Sequence, residues 1–198
     1  MTKINLSGLM NVADADLVNT LQPDMASVML APGHRHSIGI MTAMQIREQL
    51  DKNIPLYGVF EAQNVMDILT FFDNGVIQGV QLPSQTTEDA VTLLHDRSVP
   101  VIQVREPVEV MLETVADIIV IDTDTATEVG TSFDWQSVPP KPLRKKPIML
   151  AGDWTVDNLQ TAMTQVQPEW VAIATAVEVD GVKDLALLSQ LVTIAHQN

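Results

Sequence analysis

The chain has 198 residues and a mass of 21.7 kDa, with 46% hydrophobic residues, 18% charged residues and a formal net charge of −14. Only 11 lysines and arginines stand against 25 aspartates and glutamates, too little clustered cation to grip a phosphate backbone, which argues against nucleic acid as a partner. Cysteine is absent, which excludes disulfides, zinc–thiolate sites and thiol catalysis together, and no apolar run approaches the ~20 residues that span a bilayer or has the form of a secretory leader.

A chain of this length without linker-like stretches is expected to form one domain, residues 1–198, located in the cytoplasm. Short β-branched runs alternate with stretches of helical spacing throughout. A strand over 4–7 precedes a helix over 12–21, and a strand over 27–30 precedes a helix over 41–50. The third unit pairs 56–60 with 65–74, where Gly75 after Asn74 acts as a stop, and the fourth pairs 79–82 with 88–95. In the fifth, a strand over 101–104 leads to a helix over 108–115, opened by Pro107 at a position suited to proline.

The sixth strand, 118–122, runs into residues 123–147, which contain Phe133-Asp134-Trp135 and four prolines and read as loop with at most one short helix. Within that loop the basic run from Lys141 to Lys146 reads as solvated rather than as a phosphate patch. A strand over 148–151 with a helix over 155–166, capped by Thr155, and a strand over 171–174 with a helix over 183–196 complete eight units. Strands apolar on both faces suit a parallel sheet covered by helices, and eight consecutive units favour a closed (β/α)8 TIM barrel over an open doubly wound sheet.

In such a barrel the chemistry sits at the C-terminal ends of the strands and in the loops that follow. That rule selects Ser7, residues 31–37, Phe60-Glu61, residues 81–84, residues 103–105, Asp122, Gly152-Asp153 and residues 174–176. Asp122 ends an apolar strand, where a carboxylate suits acid or base work, although a capping aspartate is an equally good reading of the residue type alone. Asp124 could share its face. His34 and His36 flank Arg35, but no third ligand of suitable spacing accompanies them, so a solvated or substrate-facing loop is favoured over a metal site. The methionines and Trp135, Trp154 and Trp170 read first as packing residues.

The order of these motifs resembles the phosphoribosylanthranilate isomerase family of tryptophan biosynthesis along nearly the whole chain. The family typically opens with K-I-C-G-L and then a helix containing D-A, and here "NLSGL" (Asn5 to Leu9) and Asp14-Ala15 fill those places. Further matches are "YGVF" from Tyr57, "VQL" from Val80, "PVI" from Pro100, Asp122 with "FDW" from Phe133, "LAG" from Leu150, Asn158, and "VE" from Val177 followed by "GVKD" from Gly181. The resemblance implies an Amadori rearrangement, in which a ribosyl aldose attached to anthranilate opens, loses its C2 proton and becomes a 1-amino-1-deoxyketose. No cofactor and no metal are called for. The resemblance gives the general-acid role to Asp122 and the base position to Ser7, where the family has cysteine. It also implies substrate contacts from Arg35, His36, Gln81, Gly130, Gly152, Asp153 and Thr175, and an oligomeric state of monomer or homodimer.

The departures cluster at the site. A serine hydroxyl is a poor base unless a neighbour takes its proton, and Asn5, standing where the family has lysine, cannot do so. A histidine common after V-Q-L is replaced by Pro83, and the glycine-rich phosphate turns carry Glu128, Asp153 and Ala176 instead. The reading that follows is a barrel of this family that has lost, or much reduced, the isomerase reaction and holds another small-molecule ligand or a partner at its mouth. The alternative is an active isomerase with a diverged site. A third idea is a different enzyme reusing Asp122 and His36 on a non-phosphorylated substrate.

Overall fold

The computed structural model describes residues 1–34, 36–123, 133–174, 178–179 and 182–197. Eight parallel strands close into a barrel in chain order, with β8 hydrogen-bonded back to β1. They are β1 (Lys3–Ser7), β2 (Met25–Met29), β3 (Leu56–Val59), β4 (Gly79–Leu82), β5 (Val101–Val104), β6 (Ile118–Asp122), β7 (Ile148–Ala151) and β8 (Trp170–Ala174). The helices are α1 (Val12–Leu21), α2 (Ile40–Gln49), α3 (Val65–Asp73), α4 (Glu88–Asp96), α5 (Val156–Val166) and α6 (Leu185–His196). The closed barrel is therefore the arrangement that forms, and the strand ends lie within two residues of those expected. A two-residue antiparallel pair not foreseen in the sequence, β9 (Glu178–Val179) with β10 (Val182–Lys183), follows β8. It delays α6, whose cap is Asp184: its carboxylate accepts from Leu187 N–H at 3.0 Å.

Alternation along each strand builds two cores. Ile4, Leu6, Val28, Ile119, Ile121, Leu150 and Ile173 point outward against the helices. Met25, Tyr57, Ile102, Ile118, Val120 and Met149 fill the barrel interior. Tyr57 occupies the space a Cβ at position 79 would need, which explains the glycine that opens β4. The helix starts follow local chemistry. Asn11, Asn64 and Thr87 each accept a backbone N–H of the first turn. Thr155 and Asn158 form a reciprocal capping box.

The fifth unit departs from expectation. In place of a helix over 108–115 there is one short 3₁₀ helix, Pro107–Met111, with Pro107 at its start. Its carbonyls and N–H groups are claimed by other parts of the chain: Lys145 N–H donates to Val110 O at 3.0 Å, and Val115 N–H donates to the Glu88 carboxylate at 3.1 Å instead of to Met111. An α-helix cannot propagate once both partners are taken. Val108, Met111 and Leu112 are left 63%, 42% and 55% exposed.

The basic run in the long connection is not simply solvated. Arg144 has its side chain 4% exposed and donates to Pro139 O at 2.8 Å and Val166 O at 2.6 Å, while Lys141 and Lys145 pair with Glu169 and Glu113. It lies where the chain enters β7, at the end of the barrel opposite the strands' C-termini.

Candidate active site at the barrel mouth

Register fixes which side chains face the interior. Asn5 lies opposite Met25 and Ala172, both inner-core residues, so Asn5 and Ser7 two positions on share the inward face of β1. Asp122 continues the inward face of Ile118 and Val120 and lies opposite Ala151. Gln81 lies opposite inward Ile102 and Val59. The innermost turn of the mouth is thus made by Ser7, Met29, Val59, Gln81, Val104, Asp122, Ala151 and Ala174, one from each strand, and each is half-buried. Asp122 is the one ionisable side chain in that ring.

Ser7 is held by a sharp departure of the chain. Gly8 takes φ +77°, a left-handed conformation that favours glycine, and both Gly8 and Leu9 donate their N–H to Ser27 O. Beneath Ser7, Asn5 is 1% exposed; its amide donates to Ser27 Oγ at 3.3 Å and approaches Met149 Sδ at 3.9 Å. Its Oδ1 has no hydrogen-bond partner among the described residues. The floor of the mouth is therefore polar on the β1–β2 side and apolar elsewhere.

The loops fill in the surroundings. His36 is half-buried in the loop after β2, its ring centroid 6.3 Å from that of His34, just ahead of Ser37, which pairs with Met29. Among the described residues no group of three histidine, cysteine or acidic side chains is placed to hold a metal ion. Gly152 and exposed Asp153 follow β7, and the Asp153 carbonyl accepts from Asn158 at 2.9 Å. Trp154 does not line the mouth. It is 8% exposed, donates to Ala172 O at 2.7 Å and stacks on Trp135, whose ring meets Phe133 edge-on.

The strand-end rule selects too much in the fifth unit. Gln103 points outward and is buried against Thr86 O, and Arg105 turns back to Gln103 and Glu88, so of the three residues 103–105 only Val104 faces the interior. Of the other expected site residues, Arg35, Gly130 and Thr175 lie outside the described residues, as do Asp124, Glu128 and Ala176. Asn5 is the feature that residue-type reasoning undervalued. Its place two residues before Ser7 on an inward face was the available signal.

A family model described as N-(5'-phosphoribosyl)anthranilate (PRA) isomerase matches residues 8–194. The N-(5'-phosphoribosyl)anthranilate isomerase of Lactiplantibacillus plantarum is 35% identical over 198 residues, covering all of this chain and 93% of that protein. The chain belongs to the phosphoribosylanthranilate isomerase family. The fold agrees: the crystal structure of phosphoribosyl anthranilate isomerase from Thermotoga maritima superposes with a TM-score of 0.87 at 22% identity, over 100% of both chains. A phosphoribosyl anthranilate isomerase crystallised with reduced 1-(o-carboxyphenylamino)-1-deoxyribulose 5-phosphate superposes at a TM-score of 0.79 and 19% identity, again over 100% of both chains. The chain thus shares the barrel fold of these structures. Among the described residues no helix is long and apolar enough to cross a membrane.

Proposed function

We propose that this protein is a working phosphoribosylanthranilate isomerase of tryptophan biosynthesis, a single barrel domain over residues 1–198 acting in the cytoplasm on a small phosphorylated substrate at its mouth. The observation that carries the reading is the single carboxylate of the strand-end ring, Asp122, in a chain that belongs to the family over its full length. Asp122 is the general acid that protonates the ribosyl ring oxygen. The family resemblance assigns substrate contacts to Arg35, His36, Gln81, Gly130, Gly152, Asp153 and Thr175, and Ser7 stands where the family's thiol base would be.

A second reading is favoured by Ser7 itself: a barrel that keeps the family frame and has lost the reaction. The isomerase assay on the natural protein beside Ser7→Cys separates the two. Turnover by the natural protein, with stabilisation of several degrees by the reduced product analogue at millimolar concentration, is the expected result. An inert natural protein that the analogue leaves unstabilised would favour the second reading.

A further inference from the structure

One row of register partners crosses the barrel interior from β6 to β1. Asp122 lies opposite Ala151, Ala151 opposite Ala172, and Ala172 opposite Asn5. All four share the inward face, so the row carries only two methyl groups between Asp122 and Asn5, with Ser7 and Ala174 paired one step above. The rest of the ring is bulkier, with Met29, Val59, Gln81 and Val104. The small side chains leave a trough along β7, β8 and β1. Alanines alone would be no more than the small half of a small-and-large filling of a narrow barrel.

The side chain at the end of the trough points to a ligand. Asn5 is 1% exposed, yet its Oδ1 has no hydrogen-bond partner among the described residues. Its neighbours fix which way the amide is turned. Met149 Sδ, which can only accept, lies 3.9 Å from the same nitrogen that donates to Ser27 Oγ, so the oxygen is the open end. A buried acceptor left open lowers the stability of the free chain, and a bound donor recovers that loss. Because Oδ1 is neutral and only accepts, it suits an O–H group and opposes a phosphate or carboxylate oxygen, which would meet it acceptor to acceptor.

Resting on the isomerase reading above, we infer that Asn5 is a specificity-determining residue, whose Oδ1 accepts a hydrogen bond from one hydroxyl of the substrate's sugar chain lying over Ala151 and Ala172. The bond from Nδ2 to Ser27 holds the amide in place for this contact. Met25, opposite Asn5 on β2, and Met149 flank it, and their unbranched side chains turn aside to admit the hydroxyl. The charged ends of the ligand then lie outside the trough. The lysine that the family has at this position donates and cannot accept, so the contact belongs to this chain's own residue.

The test is calorimetric binding of reduced 1-(o-carboxyphenylamino)-1-deoxyribulose 5-phosphate and of its three forms that each lack one hydroxyl, at C2, C3 or C4, to the natural protein and to Asn5→Leu. On the natural protein one of the three deoxy forms should bind roughly tenfold more weakly than the parent analogue. Asn5→Leu, similar in volume but without the acceptor, should bind the parent more weakly by a similar factor and no longer distinguish that deoxy form from it. Two results would overturn the inference: equal binding of all three deoxy forms and the parent by the natural protein, or discrimination that survives in Asn5→Leu. The open acceptor would then be completed by water or by nothing. Failure of the natural protein to bind the parent analogue at millimolar concentration instead removes the isomerase reading, and the inference with it. The comparison of analogues on the natural protein needs no variant, so a poorly folded Asn5→Leu does not spoil the test.

Discussion

Two inward residues below the mouth show how the barrel interior sets the properties of single side chains. Tyr57 is 9% exposed, and burial first, with the negative charge of Asp117 second, pushes its hydroxyl up to about 12. A tyrosine in the unfolded chain loses its proton near ~10. The folded chain therefore holds the proton longer, so the contribution is complete below about pH 10 and is lost as the pH climbs toward 12. Urea unfolding at about pH 9 and about pH 11.5 should differ by on the order of 2 kcal/mol from this group, and Tyr57→Phe should remove that part of the difference. Identical alkaline losses in the natural protein and Tyr57→Phe would assign the effect elsewhere. Asn5 is the opposite case, a neutral group whose buried oxygen lacks a partner among the described residues, at a cost of ~1–3 kcal/mol. Nothing in its residue type announces this, because the orphan arises from where β2 and β7 place Ser27 and Met149.

At the level of elements, the units legible in the sequence were those whose hydrogen bonds close locally. The strands 79–82, 101–104, 118–122 and 148–151 fall where the apolar runs placed them, and Thr155 and Gly75 punctuate as their chemistry requires. The fifth helix failed because its partners are distant in the chain, Lys145 lying 35 residues beyond Val110 and Glu88 27 residues before Val115, which periodicity cannot register. The basic run misled for the same reason. Arg144 closes the C-terminal carbonyls of α5 onto the long connection, with Val166 O at 2.6 Å, and burial lowers its pKa, an effect that attraction from Glu169 offsets only in part. Arg144→Met should cost about 2–4 kcal/mol, since the part-buried carbonyls of Pro139 and Val166 would lose a charged donor at once. Thermal unfolding of that variant within about one degree of the natural protein would show that water replaces the guanidinium.

Across the whole molecule, closure of the sheet is what converts an ordinary strand end into a site. The strand-end rule selected Asp122 and Ser7 from the sequence, but which side chains face inward and the identity of the eight ring members needed the register, and Gln103 against Val104 shows the one-residue margin for error. The family frame was readable because its motifs recur in order along the chain. Whether the site works was less readable, because a single atom type at position 7 weighs more in that question than all the scaffold motifs together.

The thin covering of the fifth unit carries a consequence for motion. Every other strand-to-strand return except that after β6 is covered by a full α-helix, whereas the β5 to β6 return has one 3₁₀ turn with apolar side chains facing water. A barrel has no free edge, so it can only begin to come apart where a sector is weakly backed. Amide hydrogen exchange should therefore find the opening free energy lowest for the β5–β6 ladder, from Ile102 paired with Ile118 to Val104 paired with Val120, and highest for β1 and β8 behind α6. Slower exchange in β5–β6 than in β1–β8 would contradict this order. The seam at which the cylinder unzips would then end beside Asp122, so that the same strand carries the chemistry and the first breach.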